Sequence, residues 1–243
     1  MKFKIPQYIL LFVGIVFSQQ ISAQLTTSFI TDIGQNNISE GLFISSAGLV
    51  KYKIQKTTIE SACQFNILNN TNQIVPAFKG LVSHDFLIKK FPITVNAFFL
   101  FNNFSELLFE YNYGMLTHFK RNHFTYKLGT NFRTYAISKT AIETYQIHSD
   151  ESFHENWNLM YAFVYSLNPK SDKYNLSLAI SNFDYFIINQ ESNPMIYVNG
   201  VYNLNNQIQF LGEIWLKSSG AFNLSVNYFG FFVRTGILWK IDI

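Results

Sequence analysis

The sequence is poor in cysteine, proline, glycine and charge, and each shortage excludes a class of protein. One cysteine among 243 residues excludes an internal disulfide framework and a multi-cysteine zinc or iron–sulfur site. Five prolines and 12 glycines exclude collagen-like and low-complexity chains. Charged residues make up 14% of the chain, and the formal net charge of +3 is too small to indicate a nucleic-acid partner.

Apolar and aromatic residues are abundant instead. Hydrophobic residues make up 48% of the chain and aromatic residues 18%, with 26 Phe and 14 Tyr. This much apolar surface can offset the entropy of the chain, so disorder is not expected. The length fits one domain.

Residues 1–23 have the features of a cleaved secretory signal peptide. Lys2 and Lys4 precede an apolar core at 9–17, and Ala23 offers a small residue before a mature start at Gln24. The third residue before this cut is Ile21, which is not small, so the cleavage position stays open. A membrane anchor is the alternative, but the apolar core is short for a helix that must cross about 30 Å of hydrocarbon.

The rest of the chain alternates apolar and polar residues with the period of two that is typical of β-strands. In residues 106–119 the odd positions are mostly apolar or aromatic, and the even positions are mixed and polar. Residues 122–137 repeat the pattern, and a turn at Lys120 and Arg121 would pair the two strands with Leu108 facing Arg133. No later segment is apolar enough for a transmembrane helix, so a membrane-embedded chain has to form a closed barrel.

This alternation predicts an all-β fold: a closed antiparallel transmembrane β-barrel of about 12 strands over residues 42–243, with 14 strands as the next choice. The predicted strands are 42–54, 57–68, 74–87, 91–102, 105–119, 122–137, 156–167, 173–186, 195–204, 206–217, 220–229 and 230–243. Residues 24–41 form either an N-terminal extension or an extra strand. The longest connection, 138–155, would lie on the periplasmic side if the barrel began at 42. Because outer-membrane barrels keep their periplasmic turns short, either an additional strand precedes this loop or the rule is broken here.

The polar face distinguishes a membrane barrel from a soluble β-sandwich. A soluble protein usually covers its outer face with Lys and Glu. Here the polar face carries mainly Asn, Gln, Ser, Thr and Gly, which suits an enclosed lumen. We therefore expect the Phe and Tyr rows to face lipid and the amide and hydroxyl rows to face inward, with Trp157 and Trp239 in interfacial girdles.

The last strand carries a resemblance to a known class. Val233, Thr235, Ile237, Trp239, Ile241 and Ile243 share the outward register of residues 231–243. This pattern resembles the C-terminal assembly signal of bacterial outer-membrane β-barrel proteins, which usually end in an aromatic residue where this chain ends in Ile243. The resemblance implies a Gram-negative outer-membrane location, contact with outer-membrane lipids, and assembly by the barrel insertion machinery and periplasmic chaperones. It identifies no particular porin-like family.

Charged residues on the inward face are the candidate site. Arg133 could lie between Glu106 and Glu110 inside the barrel, with Lys127 also inward. Such a network either fills and rigidifies the lumen or forms a selectivity constriction or ligand site. His118 and His123 flank the same hairpin tip and are candidates for a pair across it, although ordinary polar residues at a turn explain them as well.

These features predict a non-catalytic outer-membrane barrel that acts as a narrow channel or as a structural or assembly component. No catalytic residue, metal ligand set or cofactor is predicted. Ser83 and His84 are adjacent in the chain, so alternation points them to opposite faces. The alternatives are an enzyme that acts on lipids at the barrel rim, and a secreted soluble β-protein with a binding face.

Overall fold

The computed structural model describes residues 23–36, 42–68, 77–88, 91–103, 108–146, 153–154, 157–186, 190–217 and 230–242. Apart from Ala23, the predicted signal peptide lies outside these residues, and so does the strand predicted at 220–229.

Twelve long strands, one two-residue strand and one short helix make up the described fold. The strands are β1 Ala23–Asn36, β2 Leu42–Ile54, β3 Thr57–Leu68, β4 Ala77–Ile88, β5 Phe91–Asn103, β6 Leu108–Arg121, β7 Phe124–Ile137, β8 Phe153–His154, β9 Asn158–Ser166, β10 Tyr174–Phe183, β11 Gln190–Asn203, β12 Ile208–Lys217 and β13 Gly230–Asp242. The helix, α1, spans Lys139–Tyr145, and the Ser138 hydroxyl caps its first turn by accepting a hydrogen bond from the Ala141 amide.

The twelve long strands close into a ring. Each long strand pairs antiparallel with the next long strand along the chain, β7 pairs with β9, and β13 pairs with β1. The closing pair is long, running from Gln24 opposite Asp242 to Asn36 opposite Gly230. The two-residue β8 pairs only with the end of β7 and is not part of the ring. Closure leaves no unpaired edge among the twelve long strands that the structure describes, the condition for a sheet that crosses lipid.

The predicted closed barrel of twelve strands is confirmed, and residues 23–36 supply one of its strands. This strand also accounts for the long connection 138–157. With β1 counted, that connection falls at the barrel end opposite the short turns at 55–56, 122–123 and 204–207. We call the end with these turns the turn end and the other the loop end.

The two faces of the wall have opposite character, as predicted. On β12 the outward residues Ile214 and Leu216 are 55% and 44% exposed, whereas the inward residues Glu213 and Trp215 are buried. The same alternation holds on the other strands. A soluble β-protein with a polar exterior requires the opposite arrangement, so that alternative is wrong.

Large aromatic side chains lie on the outer face near both ends. Trp157 follows the long connection at the loop end, and Trp239 lies near the turn end; both are exposed. This placement matches the girdles that flank the apolar band of membrane barrels. Among the residues that the structure describes, no helix has the length and apolar character needed to cross a membrane.

The predicted register between β6 and β7 is wrong by four residues. Arg133 pairs with Asn112, and Leu108 pairs with Ile137, because the turn is formed by Asn122 and His123 and not by Lys120 and Arg121. Asn122 has a φ of 53°, in the left-handed region that Asn tolerates better than most residues. A shift by an even number of residues keeps every side chain on its predicted face.

Candidate functional site in the barrel lumen

A short loop folds into the barrel after β10. Pairing between β10 and β11 becomes irregular between Ser181 and Phe183, and there the chain leaves the wall. The Asn182 side chain takes over the pairing with β9: its amide donates to the Leu159 carbonyl, and its oxygen accepts from the Tyr161 amide, both at 2.8 Å. The side chain thus replaces main-chain partners and lets the backbone turn inward. We call residues 184–186 the lumenal loop.

The lumenal loop is shaped by Asp184 and filled by aromatic rings. The Asp184 carboxylate accepts a hydrogen bond of 2.9 Å from the Phe186 amide, a local turn that Asp commonly forms. Phe186 packs with the buried Ile30 and Leu100, while Phe183 packs with Phe98 and Met160. At the level of the lumenal loop, apolar side chains from β1, β5 and β9 therefore occupy the lumen.

Arg234 on β13 holds the lumenal loop to the wall. Its guanidinium donates two hydrogen bonds to Asp32 on β1, 2.7 and 2.8 Å long, and two to Asp184, 3.0 and 2.6 Å long. It also lies 3.4 Å from the Glu213 carboxylate on β12. One cation is therefore surrounded by three carboxylates, and bidentate pairs of this kind are among the strongest polar contacts in proteins. We call these four residues the Arg234 cluster.

Glu213 connects the cluster to the rings around it. Its carboxylate accepts hydrogen bonds from the Tyr185 hydroxyl, the Asn199 amide and the Trp215 indole. Tyr185 and Tyr197 both stack near Trp215.

The far side of the lumenal loop is held by the opposite wall. Lys79 on β4 is fully buried; its ammonium donates to the Phe186 carbonyl and to the Glu60 carboxylate on β3. Lys51 on β2 lies 2.9 Å from the same carboxylate. The lumenal loop therefore projects from β10 into the lumen, where side chains of β13 and β4 hold it by polar contacts.

A cavity of about 650 Å³ lies between the lumenal loop and the turn end. Tyr185 and Phe186 form part of its lining on the loop side, and Thr125 and Gln209 line it near the turns. Its lining includes the ionisable side chains of Lys51, Lys53, Glu60, Asp85, His118 and Lys127. We call this cavity the turn-end chamber.

The structure brings together two of the predicted ion-network residues. Glu110 and Arg133 form a salt bridge of 3.1 Å, and Arg133 also donates to the Asn112 side chain at 3.2 Å. Asn112 in turn donates to Glu110 at 2.6 Å. Glu106, the second predicted carboxylate, lies outside the described residues.

The other three predicted site residues have separate surroundings. Lys127 lies in the turn-end chamber, with its ammonium 4.9 Å from the centre of the Tyr185 ring. His118 pairs with Lys127 across the strands and contacts Asn96 at 3.4 Å. His123 contacts the Ser166 carbonyl at 2.7 Å and stacks on Tyr165. The two histidines therefore do not form a pair across the hairpin.

Sequence reasoning did not identify the Arg234 cluster or the lumenal loop. Alternation in residues 206–217 and 230–243 puts Glu213 and Arg234 on the inward face, but it does not indicate that they meet. Asp32 lies in residues 24–41, for which an extra strand was one of two alternatives. Asp184 lies within the strand predicted at 173–186. The sequence signal was the single inward arginine of the last strand, which a closed barrel must bring beside the first strand.

Two observations concern metal binding and catalysis. Within the described ranges, no three or more His, Cys, Asp or Glu side chains come together as a metal site. Ser83 is buried, whereas His84 is exposed and bonds to Thr57, so this neighbouring pair points to opposite faces as predicted.

The likeness of this chain to known proteins is structural. No family model matches the sequence, and no curated protein matches it. Among solved structures, the NanC porin is similar with a TM-score of 0.56 and 11% identity, over 88% of this chain and 100% of that one. An outer membrane channel from Pseudomonas putida F1 has a TM-score of 0.52 and 8% identity, over 91% and 96%. The KdgM porin has a TM-score of 0.50 and 10% identity, over 87% and 98%. At such identities the likeness shows the fold alone: this chain has the closed antiparallel β-barrel architecture of those outer-membrane proteins.

Proposed function

We propose that this protein is a non-catalytic outer-membrane channel for small hydrophilic solutes, in which the lumenal loop sets the width of the passage. Barrels of about eight strands are filled by their own side chains, and those of 16–18 strands leave an aqueous channel. A barrel of twelve strands lies between these limits, so a loop folded into the lumen decides whether it conducts.

The observation that carries this proposal is the way the lumenal loop is held. Its attachments to the wall are the ion pairs of Asp184 with Arg234 and the hydrogen bonds of Tyr185 and Phe186 with Glu213 and Lys79. These side-chain contacts are separate from the main-chain pairing of the strands, so they can change without breaking a strand pair, whereas the wall itself is continuous. The turn-end chamber, lined by charged and hydroxyl side chains, lies directly against the loop.

Location and orientation follow from the same features and belong to the proposal. The short turns suit the periplasmic side, with the longer connections outside. Residues 1–23 would be removed as a signal peptide during export, and the insertion machinery and periplasmic chaperones would then assemble the barrel among outer-membrane lipids. N-terminal sequencing of the membrane-extracted protein tests the cut, with Gln24 expected as the first residue.

Planar-bilayer recording at high salt tests the channel. The wild type is compared with D184G/Y185G/F186G, which removes the side chains that hold the lumenal loop. The matched control, K170G/D172G/K173G, changes three exposed residues of the turn between β9 and β10. Heat-modifiable gel migration confirms that each variant is a closed barrel.

The proposal predicts narrow conductance steps for the wild type and the control, and wider steps for the loop variant. Absence of steps in all three folded proteins would overturn the channel. Hydrolysis of phospholipid by the detergent-solubilised wild type, with or without calcium, would overturn the non-catalytic assignment.

A further inference from the structure

The lysines around the turn-end chamber differ in their partners. Lys51 lies 2.9 Å from Glu60, and Lys53 lies 3.4 Å from Asp85. Lys127, in contrast, forms no salt bridge and no hydrogen bond with any residue that the structure describes; its contact is with the face of the Tyr185 ring. Lys127 is half-buried, and a half-buried ammonium group without a hydrogen-bond acceptor leaves its three donors open to a ligand or to water.

Fixed charge around the chamber is also unbalanced. Lys51, Lys53 and Lys127 line it against the two carboxylates of Glu60 and Asp85, an excess of one positive charge. Across the lumenal loop, the Arg234 cluster has the opposite excess, three carboxylates against one guanidinium. A concave site lined by an excess of one charge focuses its field and concentrates ions of the other sign.

The remaining lining suits a ligand with hydroxyl groups. Thr94, Asn96, Asn199 and Gln209 supply hydroxyl and amide groups, and Tyr185 and Tyr197 supply ring surfaces. The volume of about 650 Å³ lies within the usual range for sites that take small organic molecules.

We propose that the turn-end chamber binds a small hydroxylated organic anion, with its carboxylate or phosphate group on the Lys127 ammonium. This inference rests on the proposed channel function and names the class of solute that the chamber takes up. The lumenal loop separates this solute from the carboxylates of the Arg234 cluster, so binding is expected from the turn end.

Isothermal titration calorimetry in detergent tests binding apart from conduction. The ligands are gluconate, glucose 6-phosphate and glucose, which share a six-carbon hydroxylated frame and differ in their charged group. The proteins are the wild type, K127M, and the control K173M, whose lysine lies at the same end on an exposed turn. Gel migration verifies that K127M remains a barrel, and K51M provides a second lining variant if it does not.

At millimolar concentrations we expect the wild type and K173M to bind at least one of the two anions and to bind glucose more weakly. K127M should bind the anion about tenfold or more weakly, since a hydrogen bond to a charged group is lost. Binding of gluconate alone or of glucose 6-phosphate alone identifies the charged group that is preferred.

Three results would overturn the inference: no anion binding by the folded wild type, equal binding of glucose, or anion binding that K127M leaves unchanged. Bilayer recordings on the same preparations keep the two proposals apart. Anion binding without conductance contradicts the channel alone, and conductance without anion binding contradicts the chamber site alone.

Discussion

Arg234 and Asp32 face each other on the last and first strands of the barrel and are joined by two hydrogen bonds, 2.7 and 2.8 Å long. The two residues are 202 positions apart in the chain, and the arginine is fully buried. The same guanidinium binds Asp184 of the lumenal loop. A single side chain therefore links closure of the barrel to the position of the loop inside it.

Replacement of Arg234 by Met should destabilise the barrel strongly. The change leaves Asp32, Asp184 and Glu213 close together without their cation, and removal of one partner from a buried ion pair costs about 3–5 kcal/mol. Urea unfolding in lipid vesicles, followed by gel migration, measures the loss. The exposed Lys173→Met control should unfold like the wild type, and an equally small effect for both variants would refute the role of the cluster.

Replacement of Asp184 by Ala should release the lumenal loop while the barrel stays closed. It removes two hydrogen bonds to Arg234 and the local turn to the Phe186 amide. Hydrogen bonds to charged groups contribute about 1.5–3 kcal/mol each. Without them, the inward position of the loop should no longer be lower in free energy than a released position. The expected readout is a higher single-channel conductance, with Asp172→Ala on an exposed turn as control. A conductance equal to the control would show that Asp184 does not hold the constriction.

Replacement of Asn182 by Ala should weaken the wall between β9 and β10. The Leu159 carbonyl and the Tyr161 amide would each lose a side-chain partner at 2.8 Å, and an unsatisfied buried group costs about 1–3 kcal/mol. The matched variant is Asn168→Ala, in a turn where the side chain has no such role in the described structure. Equilibrium unfolding compares the two, and equal midpoints would argue against the replacement of main-chain pairing by Asn182.

Glu110 and Arg133 should be energetically coupled. A double-mutant cycle with E110Q and R133M should give a coupling energy of about 0.5–3 kcal/mol, because the two side chains share a salt bridge and the Asn112 amide. A second cycle combines E110Q with K173M, whose side chains are not in contact. In this control cycle the two changes in the free energy of unfolding should add. A coupling energy of zero in the first cycle would mean that the salt bridge does not contribute to stability.

The barrel could be predicted from the sequence because alternation survives errors of register. Residues 106–119 and 122–137 showed which side chains face inward, although the turn at Asn122 and His123 moved the pairing of Arg133 from Leu108 to Asn112. A shift by an even number of residues exchanges partners without exchanging faces. Individual contacts such as that of Glu110 with Arg133 depend on the register as well, so they needed the structure.

The lumenal loop and the Arg234 cluster could not be predicted by the same means. Asn182 and Asp184 fall on the outward, apolar parity of β10 and so end its pattern, but alternation does not report where the chain goes next. The chain turns inward there because the Asn182 side chain satisfies β9 and Asp184 forms a local turn. The cluster joins four segments, β1, the lumenal loop, β12 and β13, that are distant in the chain. Their meeting depends on closure of the whole ring, which alternation within one strand does not report.

Depth-dependent quenching of a fluorophore on neighbouring residues of β11 tests the central claim most directly. Val198 is 41% exposed on the outer face, whereas the adjacent Asn199 lines the turn-end chamber. Single cysteines are introduced at each position after the exposed Cys63 is replaced by Ala, labelled, and reconstituted in vesicles that contain brominated lipid. We predict strong quenching by the lipid at 198 and weak quenching at 199, with the reverse order for a water-soluble quencher. Lipid quenching at 199 equal to or stronger than that at 198 would contradict an apolar wall that surrounds a polar lumen.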